Sequence, residues 1–280
     1  MKNAMQLKAH IKNLAKTKNI SAQIVLQNYM LERLLERISI SKYNNNFILK
    51  GGFLLAAMVG LDTRATMDMD ATIKGLTVTK ETISQMFFDI CGIHLDDDIN
   101  FIFNGIDNIR EDDEYDGFRI SLLGNYPPLE VSLKIDITTG DIITPREINY
   151  SFHLMFENRS INILAYTVET ILAEKLETII SRGDQNTRAR DFYDVYILST
   201  LQEKNIDKYI LRDAFTSTVK KRGTAHIVAH HKEIMETILN SSAMKEQWLR
   251  YQKDFEYAKN IPFVDTCTMV QKLINFLEEI

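Results

Sequence analysis

The hydrophobic pattern of this chain changes period near residue 166, so the chain is neither all strand nor all helix. From Leu129 to Thr138, Val131, Leu133, Ile135 and Ile137 fall on one side and Ser132, Lys134 and Asp136 on the other. That alternation marks a strand with one face in a core. Phe47 to Leu49, Thr66 to Ile73, Ile99 to Ile109 and Gly117 to Leu123 read as further strands. The last two suggest a hairpin across the polar run from Arg110 to Glu114. From Thr167 to the end the apolar period is helical. Strands joined by short turns and few helices imply a mostly antiparallel or mixed sheet. The expected fold is α+β, with an N-terminal helical arm and a mixed-sheet core over residues 1–165 and a helical domain over 166–280.

Local signals fill in the helices. Ser21 is an N-cap candidate, followed by Ile24, Leu31, Leu35 and Ile38 at helical spacing with Glu32, Arg33, Glu36 and Arg37 between them. That pattern predicts an amphipathic helix ending in the turn Tyr43 to Asn46. Phe53 to Met58 reads as the buried start of another helix, and residues 81–91 as a third. The acidic turn Asp96 to Asp98 and the run at 110–114 are expected to be solvated.

Chemistry enters with Asp68 and Asp70. On a strand, residues two apart point the same way, so these carboxylates would project together with Thr66. Two like charges held so close are costly without a cation between them, and oxygen-only donors suit Mg2+. Taken alone, such a pair is equally a solvated turn or a partner for a nearby arginine. Upstream, Gly51 and Gly52 sit where a strand runs into a helix. There glycine permits close backbone approach, and helix N–H groups favour phosphate; a tight turn would explain them too. If the strand carrying Asp136 neighbours that of Asp68 and Asp70, three carboxylates converge. They could then hold one or two divalent ions against a nucleoside triphosphate, with Lys134 on the same face neutralising phosphate.

Further on, Val168, Ile171, Leu172, Leu176 and Ile179 form an apolar helical arc with Lys175 in its middle. A lysine so placed must snorkel or find an anion. Asp191 and Asp194 share the inward side of the next helix with Val195, Leu198 and Leu201. They are natural partners for Lys175, either orienting it for phosphate or tying two helices together. His226, His230 and His231 include an i, i+4 pair without a third ligand, and a solvated helix face accounts for them.

Net charge is −5 over 280 residues, but uneven. Residues 1–46 carry +6, residues 47–165 carry −10, and the remainder is close to neutral. The acidic middle accords with carboxylates gathered around a metal. The basic arm either touches phosphates or solubilises one helix face through Lys8, Lys12 and Lys16. No apolar run approaches the roughly 18 residues of a membrane span. The basic start lacks the apolar stretch of a secretory signal. Two cysteines without ligand spacing fit reduced thiols in a cytoplasmic protein.

Five ordered motifs resemble a known family. Gly51-Gly52-Phe-Leu-Leu, Arg64-Ala-Thr66-Met-Asp68-Met-Asp70, Lys134-Ile-Asp136-Ile-Thr-Thr-Gly140-Asp141, Ala173-Glu174-Lys175-Leu-Glu177 and Arg190-Asp191-Phe-Tyr-Asp194 look like those of the AbiEii/AbiGii (MenT-like) nucleotidyltransferase toxins. The resemblance covers about residues 48–196. It implies a DNA polymerase β-like core, a type IV toxin–antitoxin or abortive-infection role against phage, and transfer of a nucleotide from an NTP such as GTP to an acceptor, the 3′ end of tRNA in some relatives. It implies Asp68, Asp70 and Asp136 as catalytic metal carboxylates for Mg2+ or Mn2+. Gly51, Gly52, Thr66, Lys134, Lys175 and Asp194 are then nucleotide-binding, and Lys175 and Asp191 complete the catalytic set. It also implies a cognate antitoxin that neutralises without a direct complex. Where the wider superfamily often has Gly-Ser, this chain has Gly51-Gly52, which removes one hydroxyl contact to phosphate. The rival expectations are a phosphotransferase or small-molecule adenylyltransferase on the same core, and a non-catalytic nucleotide-binding module.

Overall fold

The computed structural model describes residues 4–109 and 117–279; the run Arg110 to Glu114 lies outside the described residues. The chain divides into two compact units, Met1–Asp141 with Ile148–Ala165, and Ile142–Glu147 with Tyr166–Ile280.

The first unit follows the order α1 (Ala4–Lys18), α2 (Ala22–Ile40), β1 (Phe47–Lys50), α3 (Gly51–Val59), β2 (Met69–Ile73), α4 (Lys80–Cys91), β3 (Asn100–Asn108), β4 (Phe118–Tyr126), β5 (Leu129–Thr139), β6 (Ile148–His153) and β7 (Ser160–Ala165). Among the described residues these seven strands form one sheet, β3-β4-β5-β2-β1-β7-β6. It is mixed, because β2 runs parallel to β5 and β1 parallel to β7, while the other neighbours are antiparallel. The alternation in β5 is realised: Leu133, Ile135 and Ile137 are buried, and Ser132 and Lys134 are exposed. On α1, Leu7, Ile11 and Ala15 are buried and Lys8, Lys12 and Lys16 exposed.

Two local expectations are corrected. The strand expected from Thr66 begins only at Met69. Upstream of it the main chain bonds to α2 instead: Asn28 Nδ2 donates to Thr66 O at 2.8 Å and Gln27 Nε2 to Met67 O at 3.0 Å. Secondly, α2 has its Ser21 cap but little solvent face, since every residue from Gln27 to Ile38 is buried. It packs against α1, α4, β5 and β7, and a helix with neighbours on several sides must bury its charges along with its leucines. Each charge therefore needs a partner. The Arg37 guanidinium donates to both oxygens of Asp97, at 2.9 and 2.8 Å, and to the carbonyls of Arg33, Ile93 and Ile99. Asp97, expected to be solvated, is thus buried. Arg33 pairs with Glu32, Glu36 and Glu157, and Glu32 also accepts the Met155 N–H. Burial pushes the Glu32 carboxyl up to about 7 against the opposing pull of Arg33.

The second unit is helical, with α5 (Val168–Arg182), α6 (Ala189–Leu201), α7 (Lys208–Arg222), α8 (Ala225–Val228), α9 (His231–Asn240), α10 (Ser242–Asp254) and α11 (Phe263–Glu279). Thr167 caps α5 through the Thr170 N–H and also donates to Thr144 O at 3.0 Å, which fastens residues 142–147 to this unit. Val195 and Leu198 are buried as expected, but Leu201, at the last turn of α6, is exposed. His226 and His230 are exposed as expected, whereas His231 is buried. Among the described residues no helix is long and apolar enough to cross a membrane.

Candidate active site

In the first unit, one register line crosses four adjacent strands. Arg119 of β4 faces Asp136 of β5, Asp136 faces Asp70 of β2, and Asp70 faces Lys50 of β1. Register partners share a sheet face, and neighbouring strands lie ~4.8 Å apart. The result is a row of charges in the order plus, minus, minus, plus. Asp68, expected on the same strand as Asp70, instead lies just ahead of β2 and is exposed. The field of all three aspartates reaches Arg119, whose hydrogen bond to Asp136 raises it above its ordinary value, with the charges of Asp136, Asp68 and Asp70 adding to the effect.

Gly51 explains how the row meets a helix end. It has φ +66, and a Cβ there would lie 2.1 Å from Asp70 Oδ2; sterics and backbone both demand glycine. The first turn of α3 thus rests directly on the Asp70 carboxylate, which accepts the Gly52 N–H. A Cβ on Gly52 would come within 3.0 Å of Thr66 Oγ1, so Thr66 is brought to the same helix end. Burial pushes the Asp70 carboxyl upward. Lys50 and the Gly52 N–H oppose that, and Asp136 and Asp68 add to it. A carboxylate desolvated beside two others is one that a cation would relieve.

The outer members are tethered. Arg119 Nε and Nη2 donate to the two oxygens of Asp136 at 2.8 and 2.7 Å. Lys50 Nζ donates to Thr138 Oγ1 at 2.7 Å and pairs with Asp141, and Thr138 Oγ1 donates to Asp141 at 2.7 Å. Lys134 is exposed on the face that Asp136 shares. Among the described residues no group of three His, Cys, Asp or Glu side chains is gathered closely enough to hold a metal ion as it stands. The oxygen-only donors of Asp68 and Asp70 are of the type that suits a hard divalent cation.

In the second unit, Lys175 Nζ lies 2.9 Å from Asp191 Oδ1 and 2.7 Å from Asp194 Oδ2. Asp194 is fully buried and Asp191 nearly so, so the partners expected for a lysine within an apolar arc are the ones it has. Asp191 Oδ2 is buried without a hydrogen-bond partner.

Sequence reasoning missed Lys50 and Arg119. Lys50 directly precedes the glycine pair, and Arg119 alternates on its strand with Ile120 and Leu122 in the opposite face. Neither local signal says which residue lies across the sheet. It also missed Gln27 and Asn28 of α2. Their amides hold residues 66–67, and Gln27 also donates to Ser132 O of β5 at 3.0 Å, so one side chain fixes the approach to Asp68 against the strand of Asp136.

Over residues 33–268 the chain matches the family described as nucleotidyl transferase AbiEii toxin, type IV TA system. The chain belongs to the AbiEii toxin family. As a family member it is a nucleotidyltransferase, of a class that acts within toxin–antitoxin systems and requires a nucleotide substrate and, in general, a divalent metal. Two solved structures share the fold. The crystal structure of JHP933 from Helicobacter pylori matches at a TM-score of 0.51 and 16% identity, covering 92% of this chain and 95% of that one. A second H. pylori structure, carrying the words "putative nucleotidyltransferase", matches at 0.51 and 15% identity, covering 93% and 98%. No curated protein matches.

Proposed function

We propose that this AbiEii protein transfers a nucleotide from an NTP, GTP being one candidate, to the 3′ end of tRNA, with Asp68, Asp70 and Asp136 as its catalytic carboxylates. The observation that carries the reading is the register line that sets Asp70 beside Asp136, at the helix end made by Gly51 and Gly52. A divalent cation, Mg2+ or Mn2+, held by Asp68 and Asp70 and shared with Asp136 would supply positive charge to the triphosphate oxygens. Asp136 orients the acceptor hydroxyl and draws off its proton as that oxygen bonds to the α-phosphorus and pyrophosphate leaves. Thr66 and the start of α3 bound the phosphate side, and Lys134 adds charge on the same sheet face. Lys175, which Asp191 and Asp194 hold in the second unit, is assigned to phosphate charge as well; Lys175→Met tests that role on its own. Toxicity is lifted by an antitoxin that forms no complex with the enzyme.

The test is incubation of the purified chain with Mg2+, total tRNA and each labelled NTP in turn. Label in RNA that vanishes in Asp70→Asn is the expected result. Label in a small molecule would point instead to a phosphotransferase or adenylyltransferase, and nucleotide binding without pyrophosphate release to a non-catalytic module.

A further inference from the structure

We propose that Arg119 is a latch on Asp136, which keeps that carboxylate out of the metal-binding set until a nucleoside triphosphate draws the guanidinium away. The inference rests on the nucleotidyltransferase reading above and adds to it a regulation of the same site.

Asp136 is the register partner of Asp70 on a parallel neighbour, so its backbone is already in place to serve a shared cation. Its side chain is committed elsewhere, with both oxygens accepting from Arg119. On the other flank, Lys50 is tied to Thr138 and Asp141. Arg119 is thus committed to Asp136, while Lys50, whose charge also acts on Asp70, is shared with Asp141.

The Arg119 tether is built to be released. Its side chain is 40% exposed and that of Asp136 21%. A guanidinium has five N–H donors and this pair uses two. The fork that fits a carboxylate also fits phosphate oxygens, and a triphosphate carries several times the charge of one aspartate. Once Arg119 turns to phosphate, Asp136 loses its neutralising partner and its oxygens become available beside Asp70. Metal and nucleotide then bind with positive coupling, each favouring the arrangement the other needs. An idle site holding a metal ion without substrate is thereby avoided. A merely structural ion pair would behave oppositely, since removing Arg119 would loosen Asp136 and weaken any metal site that included it.

Mn2+ binding to the full chain, followed by the electron paramagnetic resonance signal of the free ion, separates these cases. Wild type, Arg119→Gln, Arg119→Lys and Asp70→Asn are titrated with and without a non-hydrolysable NTP analogue. The latch predicts that Arg119→Gln binds Mn2+ alone about 5-fold or more tighter than wild type, that the analogue's enhancement shrinks by a similar factor, and that Arg119→Lys falls between. Lysine keeps the charge but lacks the fork, so it carries the test if the glutamine variant folds poorly. Mn2+ affinity in Arg119→Gln equal to or weaker than wild type overturns the latch, and leaves the site assignment standing if Asp70→Asn has lost binding. Absence of Mn2+ binding in every variant under both conditions, or unaltered binding in Asp70→Asn, overturns the site assignment and the latch with it.

Discussion

Arg37 and Arg119 each grip an aspartate with two hydrogen bonds, and they do so in the same unit for opposite ends. Arg37 and Asp97 are sealed, with side chains 1% and 9% exposed, and Arg37 spends its remaining donors on three main-chain carbonyls. Arg119 and Asp136 lie open at 40% and 21%, next to a second carboxylate that burial already disfavours. A buried ion pair whose every donor is used holds a fold in one arrangement. An exposed pair beside uncompensated charge is a pair that a ligand can rearrange. Chemistry on a protein of this kind is therefore sought where the pairing is incomplete, and stability where it is closed.

The sharpest way to break this contrast is Asp70→Asn. The site reading expects nucleotide transfer to fall by roughly 10⁴-fold, about 5 kcal/mol of transition-state stabilisation, with a urea midpoint unchanged or raised because a disfavoured charge has gone. A large loss of stability instead would place Asp70 with the sealed pairs. Arg37→Met should do the reverse, costing about 3–5 kcal/mol in urea unfolding, since Asp97 and three carbonyls are left unpaired in the interior.

Gly51→Ala tests the junction between row and helix. A left-handed backbone and a Cβ against Asp70 should together cost about 2–3 kcal/mol, and activity should fall with stability.

Glu32 offers a pH-dependent measure of the sealed network. Its carboxyl is raised to about 7 in the folded chain, so the folded state holds the proton more tightly than the unfolded one. Its contribution is most favourable below pH ~4.5 and is lost as pH rises through about 7. Urea titrations at pH 5 and 7.5 should show wild type losing about 1–2 kcal/mol relative to Glu32→Gln across that window. Equal slopes would mean that Arg33 fully offsets the burial. The smallest effect is expected from Arg119→Met, whose urea stability should lie within about 1 kcal/mol of wild type; a greater loss would mean that the open pair supports the fold as well.

Much of this was legible in the chain. Val131 to Ile137 announced β5, Ser21 and Thr167 marked helix starts, and the apolar arc around Lys175 and the inward side shared by Asp191 and Asp194 were each readable, because every one of these signals lies within one element; the lysine and the aspartates then had to find partners in the interior. The burial of α2 was not legible. Leucines and arginines on one helix read as two faces until neighbours on several sides are known. Asp97 looked like part of a solvated acidic turn for the same reason, since its partner Arg37 is sixty residues away. Strands β6 and β7 were not singled out; β6 buries only Phe152, so its apolar alternation is faint.

By itself the sequence determined the chemical types at the site: two aspartates one residue apart, a glycine pair at a helix start, a third aspartate on a polar strand face, and the family to which that order belongs. Tertiary structure alone decided that Asp70 lies between Asp136 and Lys50 and that Asp136 answers to Arg119. Spacing along one strand is set by local geometry, which any segment carries within itself. Register across four strands is set by hydrogen bonding between residues far apart in the chain, and no local pattern encodes it.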